Sequence, residues 1–345
     1  MRKLTVAALL LMILGCSSDD KPATADVSSI DHEKSETRSL NEWLDREFSE
    51  YLDFSPMAKT RLGDKSDYDK LDDVSIAMQE KRLHWRRESV QRMKAGFDRA
   101  SLDKEGKRSF DLWIYMLDQT EEAARFRYHR YIFGRRGPHT SFPRSFISYH
   151  RVDELSDMQA YISRLNQGGR YLRQYLTRAQ HSAEIGVRAP YFDYETALSQ
   201  IARVLTGEPF DHDGSSALWA DVTAKVSALV DAEKITKDQS DALMNEARQA
   251  LVKEVKPAYD EITVWLKADL ANVSENAKGA WSLPDGKAYY DFTLAQRTTL
   301  ALTADEIHDT GLSEVARIRA EMEQIKTRVG FEGSLEDFFT YSRDS

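Results

Sequence analysis

The stretch TADEIHDTGLSEVARIRAEMEQIKTRV, residues 303–329, carries a long helical pattern. Thr303 and Glu306 form a capping-box pair, in which each side chain accepts a hydrogen bond from the other residue's backbone N–H. Apolar or small residues then recur at spacings of four and three, which places them on one helix face: Ile307, Gly311, Val315, Ile318, Met322, Ile325 and Val329. We expect this face to be a buried seam, with Gly311 allowing a neighbouring helix to approach closely.

Helical spacing also dominates the rest of the chain, and no run shows the alternation typical of a strand. The capping box that starts at Ser39 predicts a first helix, and Ser75 caps another that runs to about Phe97. Segments 133–143 and 283–292 are predicted loops because Gly and Pro punctuate them. Further helices are predicted at about 104–128, 156–166, 168–184, 193–205, 215–231, 237–255 and 257–277. The fold class is therefore all-α, a multi-helix array rather than a simple four-helix bundle.

The N-terminus, MRKLTVAALLLMILGCSSDD, has the features of an export signal. Its apolar run from Leu4 to Leu14 is shorter than the ~20 residues that a membrane-spanning helix needs, and it has the length of a secretory signal's hydrophobic region. Cys16 follows Ile-Leu-Gly as in a bacterial lipobox, and it is the only cysteine of the chain. We predict a signal peptide over residues 1–15 and lipidation of Cys16. The alternative is an ordinary signal peptide that happens to contain a cysteine.

Lipidation would tether the protein to a membrane, because two or more acyl chains give stable attachment. Ser17 follows the cysteine, and in the lipoproteins that this N-terminus resembles, serine at that position goes with the outer membrane. We therefore expect an exported protein, anchored in the bacterial cell envelope at the outer membrane and facing the periplasm. Residues 16–38 are polar and lack aromatic side chains, so we expect a disordered tether, followed by a helical domain over residues 39–345.

The charge balance of the chain argues against a nucleic-acid partner. The formal net charge is −9 at pH 7, and an acidic body repels a polyanion. Basic residues of the predicted helix after Ser75 are interpreted as a solvated face rather than a nucleic-acid patch: Lys81, Arg82, Arg86, Arg87 and Arg92.

The sequence offers few candidate functional residues. It contains neither the Gly-x-Ser-x-Gly elbow of serine hydrolases nor a His-Glu-x-x-His zinc motif. His308 shares a helix face with Asp305, so it could contact an ion or a substrate group, although acids at a helix start also favour the macrodipole. A substrate-facing or structural hydrogen bond is the favoured role of His308. Tyr289 and Tyr290 are either half-buried anchors or residues of a substrate cleft.

The C-terminal part of the chain resembles a known bacterial family. The matching residues include Trp281 with Leu283–Gly286, Tyr289-Tyr290, Arg297-Thr298-Thr299 and Glu306-Ile307-His308, with weaker matches at Ser55-Pro56, Thr60–Gly63, His150–Val152 and Ala160–Leu165. In these residues the chain resembles the domain of unknown function 885 family, many of whose members are exported lipoproteins. The resemblance extends over nearly all of the chain after the predicted tether.

The resemblance implies a fold like the N-terminal half of thimet-type and angiotensin-converting-enzyme-like zinc peptidases. Full-length family members look like zinc-dependent peptidases or amidases, whose zinc motif, of the type His-Glu-x-x-x-Gly-His-His, lies in their C-terminal half. That motif is absent from these 345 residues, so we expect neither catalytic nor metal-binding residues in this chain. We predict the cleft-forming N-terminal part of such an enzyme, truncated before the zinc motif and inactive alone, with zinc as the cofactor of a full-length member.

Two alternatives remain open. The chain is either a non-catalytic envelope lipoprotein that binds a peptide or protein partner, or a pseudogene product that folds poorly. An unfinished helical array would also leave apolar seams exposed, which favours aggregation.

Overall fold

The computed structural model describes residues 27–344, so the predicted signal peptide (1–15) and Cys16 lie outside the described residues. In chain order the α-helices are α1 (Val27–Leu52), α2 (Pro56–Arg61), α3 (Ile76–Gly96), α4 (Lys104–Arg125), α5 (Pro138–Tyr149), α6 (Leu155–Asn166), α7 (Gly168–Glu184), α8 (Tyr191–Val204), α9 (Ala217–Asp231), α10 (Lys237–Ala250), α11 (Lys256–Leu270), α12 (Gly286–Thr298), α13 (Ala304–Arg328) and α14 (Leu335–Asp344). No strand forms within this range, apart from an isolated bridge between Glu208 and Ser215. The predicted all-α class is confirmed.

The helices bury two separate hydrophobic cores. The smaller core joins α1, α3 and α4 through Leu40, Met93 and Trp113. The larger core lies among α5–α11 and includes Tyr161 and Tyr259, whose side chains are fully buried. None of the helices in residues 27–344 combines the length and apolar character that crossing a bilayer requires.

Several predicted boundaries are confirmed because local hydrogen bonds set them. The Ser75 side chain accepts from the Met78 N–H and begins α3, and the capping box at Thr303 begins α13. Helix α7 has the predicted bounds, Gly168–Glu184. A π-helical turn, Leu251–Val255, connects α10 directly to α11, whose end at Leu270 comes earlier than predicted.

The prediction of a disordered tether over residues 16–38 was wrong for residues 27–38, which form the first turns of α1. Thr37 is buried, and its Oγ1 accepts a hydrogen bond from the backbone N–H of Asp103, 3.1 Å away, at the start of α4. Residues 27–38 have no aromatic side chains and only Val27 and Ile30 as apolar ones, so the sequence alone gave no sign of this contact. Helix α1 therefore begins at Val27, before the start predicted at Ser39, because contact with α4 supports its first turns.

Replacing Thr37 with alanine is expected to lower the free energy of unfolding by about 1 kcal/mol, because the Asp103 N–H loses its acceptor. Ser39→Ala is the matched control, since the exposed Ser39 hydroxyl bonds only to the Ser35 carbonyl of the same helix. Urea denaturation of the two variants measures the difference. Equal effects would show that residues 27–38 do not pack against the domain.

Two predicted loops are largely helical. Helix α5 starts at Pro138, where a missing N–H is tolerated, and it continues through Pro143 to Tyr149. Helix α12 starts at Gly286, which is buried so closely against the Ala280 carbonyl that an added Cβ would lie 2.1 Å from its oxygen. Only glycine fits this contact, so the Pro-Asp-Gly sequence begins a helix here. Tyr289 and Tyr290 thus lie on α12 rather than in a loop.

The predicted buried seam of α13 was also wrong. The helix forms as expected, but none of its residues is buried, and Val315, Ile318, Ile325 and Val329 are exposed. An added Cβ at Gly311 would meet no atom within 4 Å, so no helix of the described chain approaches there. Periodicity predicted which residues share a face, but it could not show whether another element covers that face.

Candidate functional site

A cavity of about 570 Å³ lies where α3, α4, α7 and α12 converge. This volume falls within the ~300–1,000 Å³ range typical of ligand pockets. Its walls combine aromatic side chains, arginines and short polar residues: Tyr51, Val74, Gln79, Arg82, Leu83, Thr120, Ala123, Ala124, Phe126, Arg127, Arg130, Tyr175, Arg178, Tyr289, Phe292, Thr293, Gln296 and Arg297.

One wall of the cavity is an aromatic cluster that holds α12 against the end of α4. The Phe126 ring stacks on Phe292 at 5.2 Å and contacts Tyr289 at 5.6 Å, measured between ring centroids. Buried His129 lies beside Tyr289, and its Nε2 is 2.8 Å from the Pro284 carbonyl oxygen, to which it donates. This hydrogen bond fixes the turn that begins α12, so the Tyr289 ring is positioned by both packing and the backbone.

The lining of the cavity is also strongly basic. Its lining includes five arginines, Arg82, Arg127, Arg130, Arg178 and Arg297, and no aspartate or glutamate. Arg127 forms an ion pair with Glu80, whereas the other four have no carboxylate partner within residues 27–344. The cavity is therefore a concentration of positive charge in a chain whose formal net charge is −9.

Arg178, on α7, is the least satisfied of these cations. Its Nε atom is buried and has no hydrogen-bond partner, and its guanidinium lies 5.3 Å from the centroid of the Tyr175 ring. Burial lowers the pKa of Arg178, and the like charges of Arg130 and Arg127 lower it further. Because arginine stays protonated far above neutral pH, the side chain is a desolvated cation without an anion.

Arg82, on α3, is anchored at one end and unsatisfied at the other. Its Nη2 donates to the backbone carbonyls of Phe54 and Asp73, the second at 3.3 Å. Its Nε is buried and lacks a partner, as in Arg178. The two carbonyls hold the guanidinium in place at the cavity wall, so little side-chain freedom is left to lose when a ligand binds.

The structure places one of the three predicted cleft residues at this cavity. Tyr289 contributes to the wall, but Tyr290 does not and is exposed. His308 is exposed on α13 beside Asp305 and Asp309, which are exposed as well, and none of the three lines the cavity. Tyr290 and His308 therefore do not contribute to this cavity, and their roles as cleft residues stay predictions.

The interpretation of the α3 basic residues as a solvated face was wrong for two of them. Arg86 is buried, with its guanidinium 4.8 Å from the Tyr51 ring and 5.4 Å from the Trp113 ring. Arg82 lines the cavity. Sequence reasoning therefore missed Arg82 and Arg178, since an arginine within a polar helix stretch resembles a solvated residue. The only local signal was weak: aromatic residues lie close to these arginines in the chain, as in Tyr175 and Arg178.

The described residues do not fit a zinc ion. Between residues 27 and 344, no three His, Cys, Asp or Glu side chains come together as a ligand set for a metal. The cavity offers groups that can bind a ligand. Its aromatic surfaces can contact apolar groups, and its fixed guanidinium groups can donate hydrogen bonds to an anion.

Comparisons with known proteins identify one family and a related structure. A family model described as "Bacterial protein of unknown function (DUF885)" matches residues 56–345. The crystal structure of "the putative lipoprotein from Colwellia psychrerythraea" superposes with a TM-score of 0.68 at 17% sequence identity, covering 92% of this chain and 55% of that protein. The likeness shows a shared fold, and this chain spans about half the length of the matched protein. No curated protein matches the sequence.

Proposed function

The chain belongs to the DUF885 family of bacterial proteins of unknown function, and on that premise we propose that its helical body is the substrate-binding, cleft-forming part of a lipid-anchored peptidase- or amidase-like protein. The fold would correspond to the N-terminal half of thimet-type and angiotensin-converting-enzyme-like zinc peptidases. The single observation that carries the proposal is the cavity walled by α3, α4, α7 and α12.

The walls of this cavity suit a peptide or amide substrate. Phe126, Tyr289 and Phe292 offer apolar ring faces to substrate side chains, and aromatic rings bury a large area with little loss of side-chain freedom. Gln79 and Gln296 add amide groups that can both donate to and accept from a peptide backbone. Tyr289 is part of the Tyr289-Tyr290 match on which the resemblance to the family rests. One residue of the cavity wall therefore belongs to the family pattern and is not peculiar to this chain.

Zinc remains a prediction for a full-length family member. The described residues contain no ligand set for it, so the proposal assigns binding and positioning to residues 27–344 and no bond-breaking step. The helical body would present the substrate's peptide or amide group to the zinc-bearing half of such a full-length member.

A lipid anchor at Cys16 is part of the same proposal, supported by the lipobox pattern and by the fold shared with a protein described as a putative lipoprotein. Helix α1 begins at Val27, 11 residues after Cys16. Even a fully extended segment of that length spans only about 40 Å. The anchor would therefore hold the helical body close to the bilayer, at the periplasmic face of the outer membrane.

A second candidate function is a non-catalytic envelope lipoprotein that binds a peptide or protein partner. The exposed apolar residues of α13, including Val315 and Ile318, favour it, because apolar faces of this kind often mark interaction surfaces. In the first candidate the bound peptide is a substrate for the zinc-bearing half of a full-length member, whereas in the second candidate it is held without being cleaved.

Peptide binding at the cavity is tested by replacing two adjacent tyrosines, one inside the cavity and one outside it. A fluorescently labelled peptide with a central phenylalanine is titrated with this 345-residue chain in detergent. Tyr289→Ala is expected to weaken binding about tenfold, because a wall of the cavity loses its ring. Tyr290→Ala is the control, since Tyr290 lies one residue away and outside the cavity. Thermal unfolding checks that both variants fold, and mass spectrometry of the incubated peptide is expected to show it intact, because the proposal assigns no bond-breaking step to the described residues. Absence of binding, or equal effects of the two substitutions, would contradict the proposal.

A further inference from the structure

The cavity contains guanidinium groups for which the described residues supply no counter-charge. Among the residues described, Arg178 makes no side-chain hydrogen bond, and the buried Nε of Arg82 has no acceptor. Arg164, a buried arginine outside the cavity, is satisfied: it donates to the carbonyls of Lys70 and Asp67 and to the Thr60 hydroxyl. Arg86 is also buried outside the cavity lining, and its Nη1 lacks a partner, but its guanidinium packs against the rings of Tyr51 and Trp113. Arg82 and Arg178 differ from Arg86 because they line a cavity that a ligand can enter.

Leaving such donors unpaired is energetically unfavourable, since a buried polar group without a partner keeps its full desolvation cost. Arg130 and Arg127 increase this cost for Arg178, because their like charges face it. A structural role does not explain why Arg178 lies there, because its side chain forms no hydrogen bond that would link two elements of the described chain. An incoming anion would remove both costs together by supplying acceptors and by neutralising the repulsion.

We propose that Arg178 and Arg82, with Arg130 at the rim, bind the carboxylate of a carboxylate-bearing ligand, such as the C-terminus or an acidic side chain of a peptide. The inference rests on the proposed function and names the substrate class of the same cavity. A planar guanidinium with fixed geometry matches a carboxylate through two parallel N–H···O bonds. The organic part of the ligand would then lie against Phe126, Tyr289 and Phe292, which form the apolar wall of the same cavity.

The surroundings of the cavity favour a single carboxylate over a polyanion. The whole chain has 57 acidic against 48 basic residues, so an extended polyanion would be repelled outside the cavity. Within the cavity, guanidinium groups lie beside aromatic rings, which suits one anionic group attached to an apolar chain.

The test compares two peptides that differ only at the C-terminus. A labelled peptide with a central phenylalanine and a terminal alanine is prepared with a free carboxylate and as the amide, and each is titrated with the full-length chain. The acid is expected to bind about tenfold to a hundredfold more tightly than the amide, the range for hydrogen bonds to a charged group. A third peptide, amidated but with glutamate as its last residue, reports whether a side-chain carboxylate substitutes for the terminal one.

Arg178→Met is expected to reduce the preference for the acid peptide over the amide about tenfold, because the carboxylate loses one guanidinium partner. Arg319→Met is the charge-matched control, because Arg319 is exposed on α13 and has no ion pair within the described chain. The melting temperature of Arg178→Met is expected to stay the same or rise, since the guanidinium makes no hydrogen bond and faces like charges. This readout separates a binding role from a structural one.

Each outcome decides between the two proposals. Equal binding of acid and amide, with loss of both on Tyr289→Ala, would overturn the carboxylate subsite and leave peptide binding at the cavity intact. Failure of every peptide to bind would overturn both. Displacement of the acid peptide by inorganic phosphate at lower concentration than by acetate would overturn the assignment to a carboxylate.

Discussion

Replacing Arg164 with methionine is expected to lower the free energy of unfolding by about 4 kcal/mol. Arg164, on α6, is only 1% exposed and is the largest of the fully buried side chains among residues 27–344. Burial lowers the pKa of its guanidinium to about 10, so the group is still charged at neutral pH. A charge this deeply buried is stable only because its donors are satisfied.

The guanidinium of Arg164 links α6 by hydrogen bonds to α2 and to the segment between α2 and α3. Its Nε donates to the Lys70 carbonyl at 2.8 Å, and its Nη2 donates to the Thr60 hydroxyl at 2.7 Å and to the Asp67 carbonyl at 3.2 Å. The Tyr68 ring covers it, with a distance of 5.1 Å from Cζ to the ring centroid. Methionine fills much of the same space but supplies no donor, so each acceptor would remain buried and unpaired.

Arg170→Met is the matched control for this prediction. Arg170 is exposed and also donates to the carbonyls of Leu71 and Asp72, but at 3.3–3.4 Å. Water can replace those bonds, so we expect a loss below about 1 kcal/mol. Urea denaturation followed by far-ultraviolet circular dichroism measures both values. A loss for Arg164→Met as small as that of the control would show that the buried hydrogen bonds do not hold α6 in place.

Acidification from about pH 7 to about pH 5 is expected to cost about 2 kcal/mol of stability through His150 alone. His150 is buried, and burial is the main reason that its pKa falls to about 4. Its Nε2–H donates to the Asp157 carbonyl at 2.9 Å, and its Nδ1 accepts from Arg164 Nη1 at 3.1 Å. The contact with Arg164 requires the neutral ring, because a proton on Nδ1 would face the donor of Arg164.

The direction of the pH effect follows from the lowered pKa. The unfolded chain binds a proton at His150 near pH 6.5, whereas the folded chain resists it until about pH 4. Full stability is therefore present above about pH 6.5 and is lost as the pH falls towards 4. The pKa of buried His139 is lowered in the same direction by burial, so it adds to the loss in this window. Lowered carboxyl pKa values, as at Asp67, act only at lower pH.

Denaturation of His150→Gln at several pH values isolates the contribution of His150. The variant is expected to be less stable at neutral pH, because it cannot reproduce both hydrogen bonds, but its loss between pH 7 and pH 5 should be smaller by about 2 kcal/mol. His84→Gln serves as the control, since His84 is exposed on α3. If the parent chain and His150→Gln lose the same stability over this range, His150 is not the acid-sensitive group.

Features that depend on neighbouring residues in the chain were predictable from the sequence. The side chains of Ser75 and Thr303 cap the helices that follow them, because the donors of a helix start lie within three residues of the cap. The capping box at Ser39 predicted a helix over the residues that follow it, and these residues are helical to Leu52. The predictions failed where a distant element intervened, as where α4 supports residues 27–38 or where nothing described covers α13.

The candidate site could be predicted only in part. Tyr289 was identified because it follows a turn and lies in the segment that resembles the family, and it does line the cavity. Arg82, Arg178 and Arg164 were not identified, although Arg164 lies in a segment with a weaker resemblance to the family. In sequence each of them is a helical arginine among polar neighbours, and helical periodicity alone does not distinguish a buried arginine from a solvated one.

The sequence by itself determined that this protein is all-α, where most of its helices begin, and which residues share a helix face, because hydrogen bonding along a helix and its periodicity involve residues a few positions apart. Only the tertiary structure decided which faces are buried and which arginines are left without a counter-charge. Arg82 and Arg178 lie nearly 100 positions apart in the chain, so only the tertiary arrangement of α3 and α7 places both at one cavity. Burial and charge pairing depend on such distant neighbours, which no short stretch of sequence contains.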